Sequence, residues 1–134
     1  MPIQNPNPKS QNDREQFKKD FIRRLIQFTV HIIKLGERIK GENRLLWSIV
    51  DQVIRSGGSI GANVVEAKGS GSKRDYIHFF EIALKSANET IYWLMVLQET
   101  VSVSHRDEVE AFSREANEFA RIIGASIVTM KGRR

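Results

Sequence analysis

The sequence contains no cysteine, only three prolines and nine glycines in 134 residues. The absence of cysteine excludes disulfides, cysteine-ligated zinc and thiol chemistry, and it fits a reducing cytoplasm. No apolar run approaches the roughly 18 residues that a membrane span needs, and the polar amino terminus lacks the apolar segment of a secretory signal. Since the length suits a single core, the sequence predicts one soluble, cytoplasmic domain with no membrane partner.

The net charge of +5 is distributed unevenly. Up to Arg44 there are ten Lys and Arg against five Asp and Glu, whereas the rest of the chain is neutral overall. Within that rest, Glu99 to Glu118 carries six acids and two arginines. The basic part could attract a polyanion, or it could meet the acidic part of a neighbouring copy. Ordinary solvation of surface lysines is the third interpretation.

The first eleven residues are polar and rich in Pro and Asn, so residues 1–11 are predicted to be a disordered arm that precedes a domain over residues 12–134. Asn12 followed by Glu15 is a helix-start signature. A seam of apolar residues in steps of three and four then predicts a long amphipathic helix: Phe17, Phe21, Leu25, Phe28, Ile32, Leu35 and Ile39. Ile22, Ile26 and Ile33 widen this seam. Lys19, Arg23, Lys34 and Arg38 fall on the opposite side, which makes helix one basic outside.

Gly41 is predicted to end helix one as a left-handed cap, and Asn43 to cap helix two. The seam of helix two is Leu46, Val50, Val53, Gly57, Ile60, Val64 and Ala67. Because the pattern resumes in phase after Gly57 and Gly58, we predict a continuous helix with a close backbone approach there; a short break is the alternative.

Gly69, Ser70 and Gly71 form the next turn, and Ser72 with Asp75 starts helix three. The predicted seam of helix three is Tyr76, Phe80, Ala83 or Leu84, Ala87, Ile91 and Leu94, with an end near Val101. Helix four begins at Ser104 and has the seam Val109, Phe112, Ala116, Phe119, Ile123, Ile127 and Met130. Short connections favour antiparallel neighbours. The predicted fold is therefore an all-α, up-down-up-down four-helix bundle.

Three segments carry a resemblance to a known family: SIGANVVEA at residues 59–67, SKRDYI at 72–77 and ALKSANET at 83–90. They resemble the bacterial four-helix-bundle proteins also called the 23S rRNA-intervening-sequence, or S23, family, and the similarity runs from about Asp13 to Met130. The family pattern has proline where this chain has Gly61, and often glycine where it has Ala67.

The resemblance implies an all-α bundle that assembles as a homopentamer, with RNA binding as a proposed role. Some members are encoded within insertions in 23S ribosomal RNA genes. The chain is also similar in kind to the basic, pentameric accessory proteins of diversity-generating retroelements. The resemblance implies no catalytic residue and no cofactor.

A polar stripe in the matched segments has two interpretations. Half-buried polar groups between helices must find hydrogen bonds or cost about 1–3 kcal/mol each, so they would fix the register of helices two and three or line a subunit seam. Alternatively, they contribute to a ligand or nucleic-acid patch. The candidate residues are Arg55, Ser59, Asn63, Glu66, Lys73, Arg74, Ser86 and Glu89.

Catalytic and metal-binding patterns are scarce. His31, His78 and His105 fall on three predicted helices, and none has a second histidine three or four residues away, so no metal site is expected. The GSGSK segment at residues 69–73 lacks the spacing and preceding strand of a phosphate loop. Arg74 and His78 resemble the helical ribonucleases of the HEPN type, but their spacing is one residue short. We predict a protein that is not an enzyme, and the sequence identifies no small-molecule substrate.

The apolar faces are wider than one bundle core needs, and surplus apolar surface is typical of an interface. The surplus includes Phe28, Phe79, Trp93, Ile122 and Val128. We therefore predict a cyclic homo-oligomer, and the family resemblance implies five subunits. Two functions follow: RNA or other nucleic acid bound through Lys19, Arg23, Lys34 and Arg38, or a protein-interaction scaffold with no nucleic-acid role.

Overall fold

A computed structural model describes residues 11–132 as four long α-helices. Helix α1 spans Gln11–Glu42, a 3-10 turn spans Arg44–Leu46, α2 spans Trp47–Lys68, α3 spans Lys73–Thr100 and α4 spans Val103–Gly132. These residues contain no strand, which confirms the all-α prediction. The first ten residues of the predicted arm, and Arg133 and Arg134, lie outside the described part of the chain, so the arm stays a prediction.

The turn between α1 and α2 differs from the prediction at Gly41. No described residue has a positive φ, so Gly41 is not a left-handed cap. Instead α1 continues to Glu42, and the backbone N–H of Asn43 donates to the carbonyl of Ile39 at 2.9 Å. The Asn43 side chain accepts from the backbone N–H of Leu45 at 3.0 Å, but it caps the 3-10 turn and not α2, for which the cap was predicted. The residue before α2 is Leu46, which makes no side-chain cap.

Helix α2 is continuous through Gly57 and Gly58, as predicted. Tighter approaches between α1 and α2 lie on either side of this point, at Gly61 of α2 and at Gly36 of α1, where an added Cβ would lie 2.9 Å from the Val50 side chain. A Cβ built on Gly61 would lie 3.2 Å from the Cβ of Leu25, whereas one on Gly57 would make only ordinary contacts at 3.4 Å. A glycine at position 61 therefore lets the two helix backbones pack closely.

The cap and seams predicted for the later helices are largely confirmed. The Ser72 side chain accepts from the backbone N–H of Asp75 at 3.1 Å. The predicted seam residues of α2 and α4 are all buried. In α3 the buried seam shifts to Phe80, Ala83, Ala87, Leu94 and Leu97, while Tyr76, Leu84 and Ile91 are only partly buried. The start of α4 at Val103 precedes the predicted Ser104 by one residue, a difference within the usual spread of helix boundaries.

Residues that contact each other across two helices occur in opposite order along the chain. Phe21 contacts Phe119, while Phe28, further along α1, contacts Phe112, which lies earlier in α4. The same reversal relates α2 to α1 and α3 to α2. Neighbouring helices in the described chain are therefore antiparallel.

Phe28 is not part of a surplus apolar surface, as one prediction had it. Its side chain is 1% exposed, and its ring packs edge-on against Phe112 and Phe119 with centroid distances of 5.7 and 5.1 Å. Phe79, Trp93 and Ile122 are half-buried against the core. Of the predicted surplus, only Val128 is strongly exposed.

Candidate functional site

The basic face of α1 is present on the surface. Lys19, Arg23, Lys34 and Arg38 are all exposed. Arg38 donates to both carboxylate oxygens of Glu108, at 2.7 and 2.6 Å. No ion pair engages Lys19, Arg23 or Lys34 within the described residues. Three of the four predicted cations are therefore available to a partner, and Arg23 and Lys34 lie about 16 Å apart along the helix at 1.5 Å per residue.

The acidic segment of α4 pairs mainly with α1 of its own chain. Arg24 donates to Glu118 at 2.9 Å and to Glu115 at 3.4 Å, and its guanidinium lies 5.0 Å from the centre of the Phe119 ring. The hydrogen bond from Arg24 lowers the pKa of Glu118 and raises the pKa of Arg24 itself. Complementary charge thus joins α1 to α4 within one chain, so part of the charge that was predicted to meet a neighbouring copy is already paired.

Polar residues between α2 and α3, most of them in the segments that resemble the family, form hydrogen bonds with each other. Ser86 Oγ donates to Ser59 Oγ at 2.9 Å, and Thr90 Oγ1 lies 2.9 Å from Ser56 Oγ and 2.7 Å from the Ser86 carbonyl oxygen. Asn63 donates to the Ser59 carbonyl at 2.8 Å, within its own helix. Ser56 and Thr90 are buried, so this cluster ties α2 to α3 at a fixed register and leaves few free donors or acceptors for a ligand.

Arg55 and Glu89 form an ion pair at the surface end of this cluster. The same carboxylate accepts from the indole N–H of Trp93 at 3.1 Å, and Arg55 also donates to Gln52. The structure therefore brings together five of the eight predicted residues, namely Arg55, Ser59, Asn63, Ser86 and Glu89. Their mutual bonding favours the structural interpretation over a ligand site.

The other three predicted residues lie elsewhere. Glu66 is exposed on α2, about 10 Å beyond Ser59 along the helix axis. Lys73 and Arg74 lie at the start of α3, beside an open cleft of about 690 Å³ at one end of the bundle. Further polar side chains that line this cleft are Asp75, His78, Glu81 and Lys131. Lys131 donates to Glu81 at 3.0 Å, so part of the charge of the cleft is neutralised within the chain.

Two surface features were not predicted as sites. Trp47 is half-exposed beside the α1–α2 turn, with the charged groups of Lys40 and Arg44 5.8 and 5.5 Å from its ring centre. An apolar groove, the α1–α2 groove, has a volume of about 460 Å³. Its lining includes Ile22, Ile26, Val30, Gly58, Gly61 and Val65. The sequence signal for the groove was the widening of the α1 seam by Ile22, Ile26 and Ile33.

No group of three or more metal-ligating side chains is found in residues 11–132. Over the same residues, no helix has both the length and the hydrophobicity that a bilayer crossing requires.

Comparisons with known proteins agree with the fold. A crystal structure of a protein of unknown function from the S23 ribosomal protein family of Bacteroides thetaiotaomicron matches with a TM-score of 0.71 and 33% sequence identity. The match covers 79% of this chain and 96% of that chain. Among curated proteins, no sequence matches significantly. A profile of the 23S rRNA-intervening sequence proteins matches residues 18–125. Since that match spans well over half of the sequence, the chain belongs to the 23S rRNA-intervening sequence protein family.

Proposed function

We propose that this protein is a non-enzymatic, cytoplasmic RNA-binding protein that acts as a cyclic homo-oligomer of five subunits. The observation that carries the RNA-binding part is the set of three exposed cations on α1, Lys19, Arg23 and Lys34, which no acidic side chain of the described chain neutralises. Arg38 is a weaker candidate because Glu108 already pairs with it. The family name, which refers to 23S rRNA, supports RNA as the polyanion.

Phosphate contacts, rather than base recognition, are the mode of binding that this face supports. The exposed tryptophan lies beside Lys40 and Arg44 and not among Lys19, Arg23 and Lys34. A face of cations without stacking aromatics binds the backbone with little dependence on sequence. A ring that repeats this face would bind one RNA molecule at several points at once, which raises the overall affinity above that of a single face.

The test is a titration of labelled single-stranded RNA at 50 and 200 mM salt. Three phosphate contacts give a slope of about −2 in log affinity against log salt, so affinity falls about 20-fold between these concentrations. In the double variant Lys19→Glu/Arg23→Glu, affinity at low salt falls and the slope becomes shallower by about 1.4. The matched control is Arg106→Glu/Arg114→Glu, which changes the net charge equally on exposed positions of α4.

Each outcome decides the proposal. Loss of binding in the α1 variant with retention in the control supports the α1 face. Equal losses in both variants mean that net charge, and not this face, attracts RNA. The alternative function is a homo-oligomeric protein-interaction scaffold. Salt-insensitive or absent RNA binding by the wild type contradicts the RNA-binding proposal and leaves the scaffold.

A further inference from the structure

Large apolar side chains are exposed on two sides of the bundle. Ile26, Val30 and Ile33 are 56%, 42% and 39% exposed on the side of α1 that adjoins α2. Tyr92 and Met95 are 56% and 61% exposed on the outer face of α3. Because α1 contacts α2 and α4 while α3 lies diagonally across from it, the two surfaces face away from each other within one subunit.

The two surfaces have opposite shapes. The α1–α2 groove is concave, because Gly58 and Gly61 place no side chain between its walls. The outer face of α3 is convex, with the long side chains of Tyr92 and Met95 projecting one turn apart. Projecting apolar side chains of one helix that enter a groove between two others are a common mode of helix recognition.

We infer that the α1–α2 groove of one copy receives the outer face of α3 from the next copy, through Tyr92 and Met95. This rests on the self-association in the proposed function, and it goes further by naming the two surfaces that meet. The contact is heterologous, since the groove and the α3 face are different surfaces, and such contacts close into rings when the rotation between copies permits.

The heights of the two surfaces along the bundle agree with a ring whose axis is parallel to the helices. A Cβ on Gly57 would contact both Phe28 and Thr90, so these residues share one layer of the bundle. Val30 lies two residues beyond Phe28, and Tyr92 lies two residues beyond Thr90. Since α1 and α3 run in the same direction, Val30 and Tyr92 are at the same height, about 3 Å from that layer.

Charge at the edge of the two surfaces is complementary. Lys34 lies one turn beyond Val30, which lines the groove, and Glu99 lies one turn beyond Met95 on the outer face of α3. Both are exposed, and neither has an ion-pair partner within residues 11–132. A pair between Lys34 of one copy and Glu99 of the next would use both charges. Lys19 and Arg23 would then remain as the main phosphate-facing cations, and the salt slope expected of one face would become about −1.4 in place of about −2.

The absence of cysteine makes the contact testable by crosslinking. In the full-length double variant Val30→Cys/Tyr92→Cys, a short bismaleimide is expected to give a ladder of covalent multimers that stops at the ring size. Intramolecular linkage is not expected, because the axes of diagonal helices are about 11–14 Å apart and both side chains point outward. The single variants Val30→Cys and Tyr92→Cys are expected to stay uncrosslinked.

A second variant tests the contact without a crosslinking reagent. Val30→Glu is expected to reduce the native mass to that of the monomer, whereas Leu45→Glu is expected to leave it unchanged. Leu45 is the matched control because it is an exposed apolar residue, 87% exposed, beside the α1–α2 turn. Circular dichroism of both variants at matched concentration verifies that the helices persist.

The results separate this inference from the broader proposal. An oligomeric wild type whose double-cysteine variant gives no ladder, or whose Val30→Glu variant keeps its mass, overturns the assigned contact and leaves self-association intact. Covalent dimers from Val30→Cys alone indicate a symmetric groove-to-groove contact, which also overturns the inference. A monomeric wild type contradicts the proposed ring and the contact together.

Discussion

The hydrogen bond between Ser56 and Thr90 offers a direct test of how α2 and α3 hold their register. Thr90 is fully buried and Ser56 nearly so. Their hydroxyl oxygens are 2.9 Å apart, and Ser56 also donates to the Gln52 carbonyl at 2.9 Å. Thr90→Val keeps the side-chain shape and removes only the hydroxyl, while Ser56→Ala removes its partner.

The expected magnitudes follow from this geometry. Each single substitution loses a net hydrogen bond of about 0.5–1.5 kcal/mol. The double variant Ser56→Ala/Thr90→Val leaves no unmatched hydroxyl in the pair, so its cost is smaller than the sum of the two singles by about 0.5–1.5 kcal/mol. A loss of 1 kcal/mol lowers Tm by about 3–5 °C in a domain of this size.

The assay is urea unfolding at one fixed protein concentration, because the proposed self-association would make apparent stability depend on concentration. The control is Asn63→Ala, whose amide bonds within its own helix, and it is expected to show no coupling to Thr90→Val. Additive losses in the Ser56 and Thr90 variants, with a coupling energy within about 0.3 kcal/mol of zero, would refute the idea that this pair ties α2 to α3.

Three further predictions concern the core, the α1–α2 packing and the α1–α4 ion pair. Phe28→Ala is expected to cost about 3–5 kcal/mol in urea unfolding, because it empties a site between two other rings; a loss below 1 kcal/mol would contradict its place in the core. Gly58→Ala is expected to raise Tm through a gain in helix propensity of up to about 1 kcal/mol, whereas Gly61→Ala gains less or loses stability because its new Cβ would press on α1 at 3.2 Å; equal gains would mean that the helices are not tightly packed there. The Glu118 carboxylate has a lowered pKa through Arg24, so its contribution is complete above the ordinary value of 4.5 and is lost as the pH falls through the lowered value of the folded state. Glu118→Gln is therefore expected to lower stability by less than about 1 kcal/mol at pH 7, since the pair is partly solvent-exposed, and this loss is expected to shrink as the pH is lowered below 4.5; a loss that stays constant as the pH falls would show that charge pairing is not the cause.

Helical periodicity predicted the fold well where the apolar seam is narrow. In α2 and α4 a single row of residues at steps of three and four is buried, so the sequence pattern identifies the core. In α1 the apolar residues cover a wider sector. Spacing places Phe28 in the seam, where Phe112 and Phe119 of α4 surround it. Spacing does not decide how far the flanking Ile26 is covered, because that depends on how α2 packs beside α1.

The sequence predicted which residues of the candidate site are exposed, but it did not predict which of them contact each other across helices. The exposed cations of α1 follow from the helical repeat, because it places Lys19, Arg23 and Lys34 opposite the seam. Pairing of Arg38 with Glu108 does not follow from it, since the two residues are 70 positions apart and meet only when α1 and α4 pack. The concave shape of the α1–α2 groove likewise depends on how closely Gly61 lets the helices approach.

We propose that copies of this chain associate into a closed ring that displays the basic face of α1 repeatedly. Native mass spectrometry of the protein at micromolar concentration measures the number of copies directly. One dominant species of five times 15.4 kDa, about 77 kDa, is expected. A species of 15.4 kDa alone, at micromolar concentration and physiological salt, would contradict it.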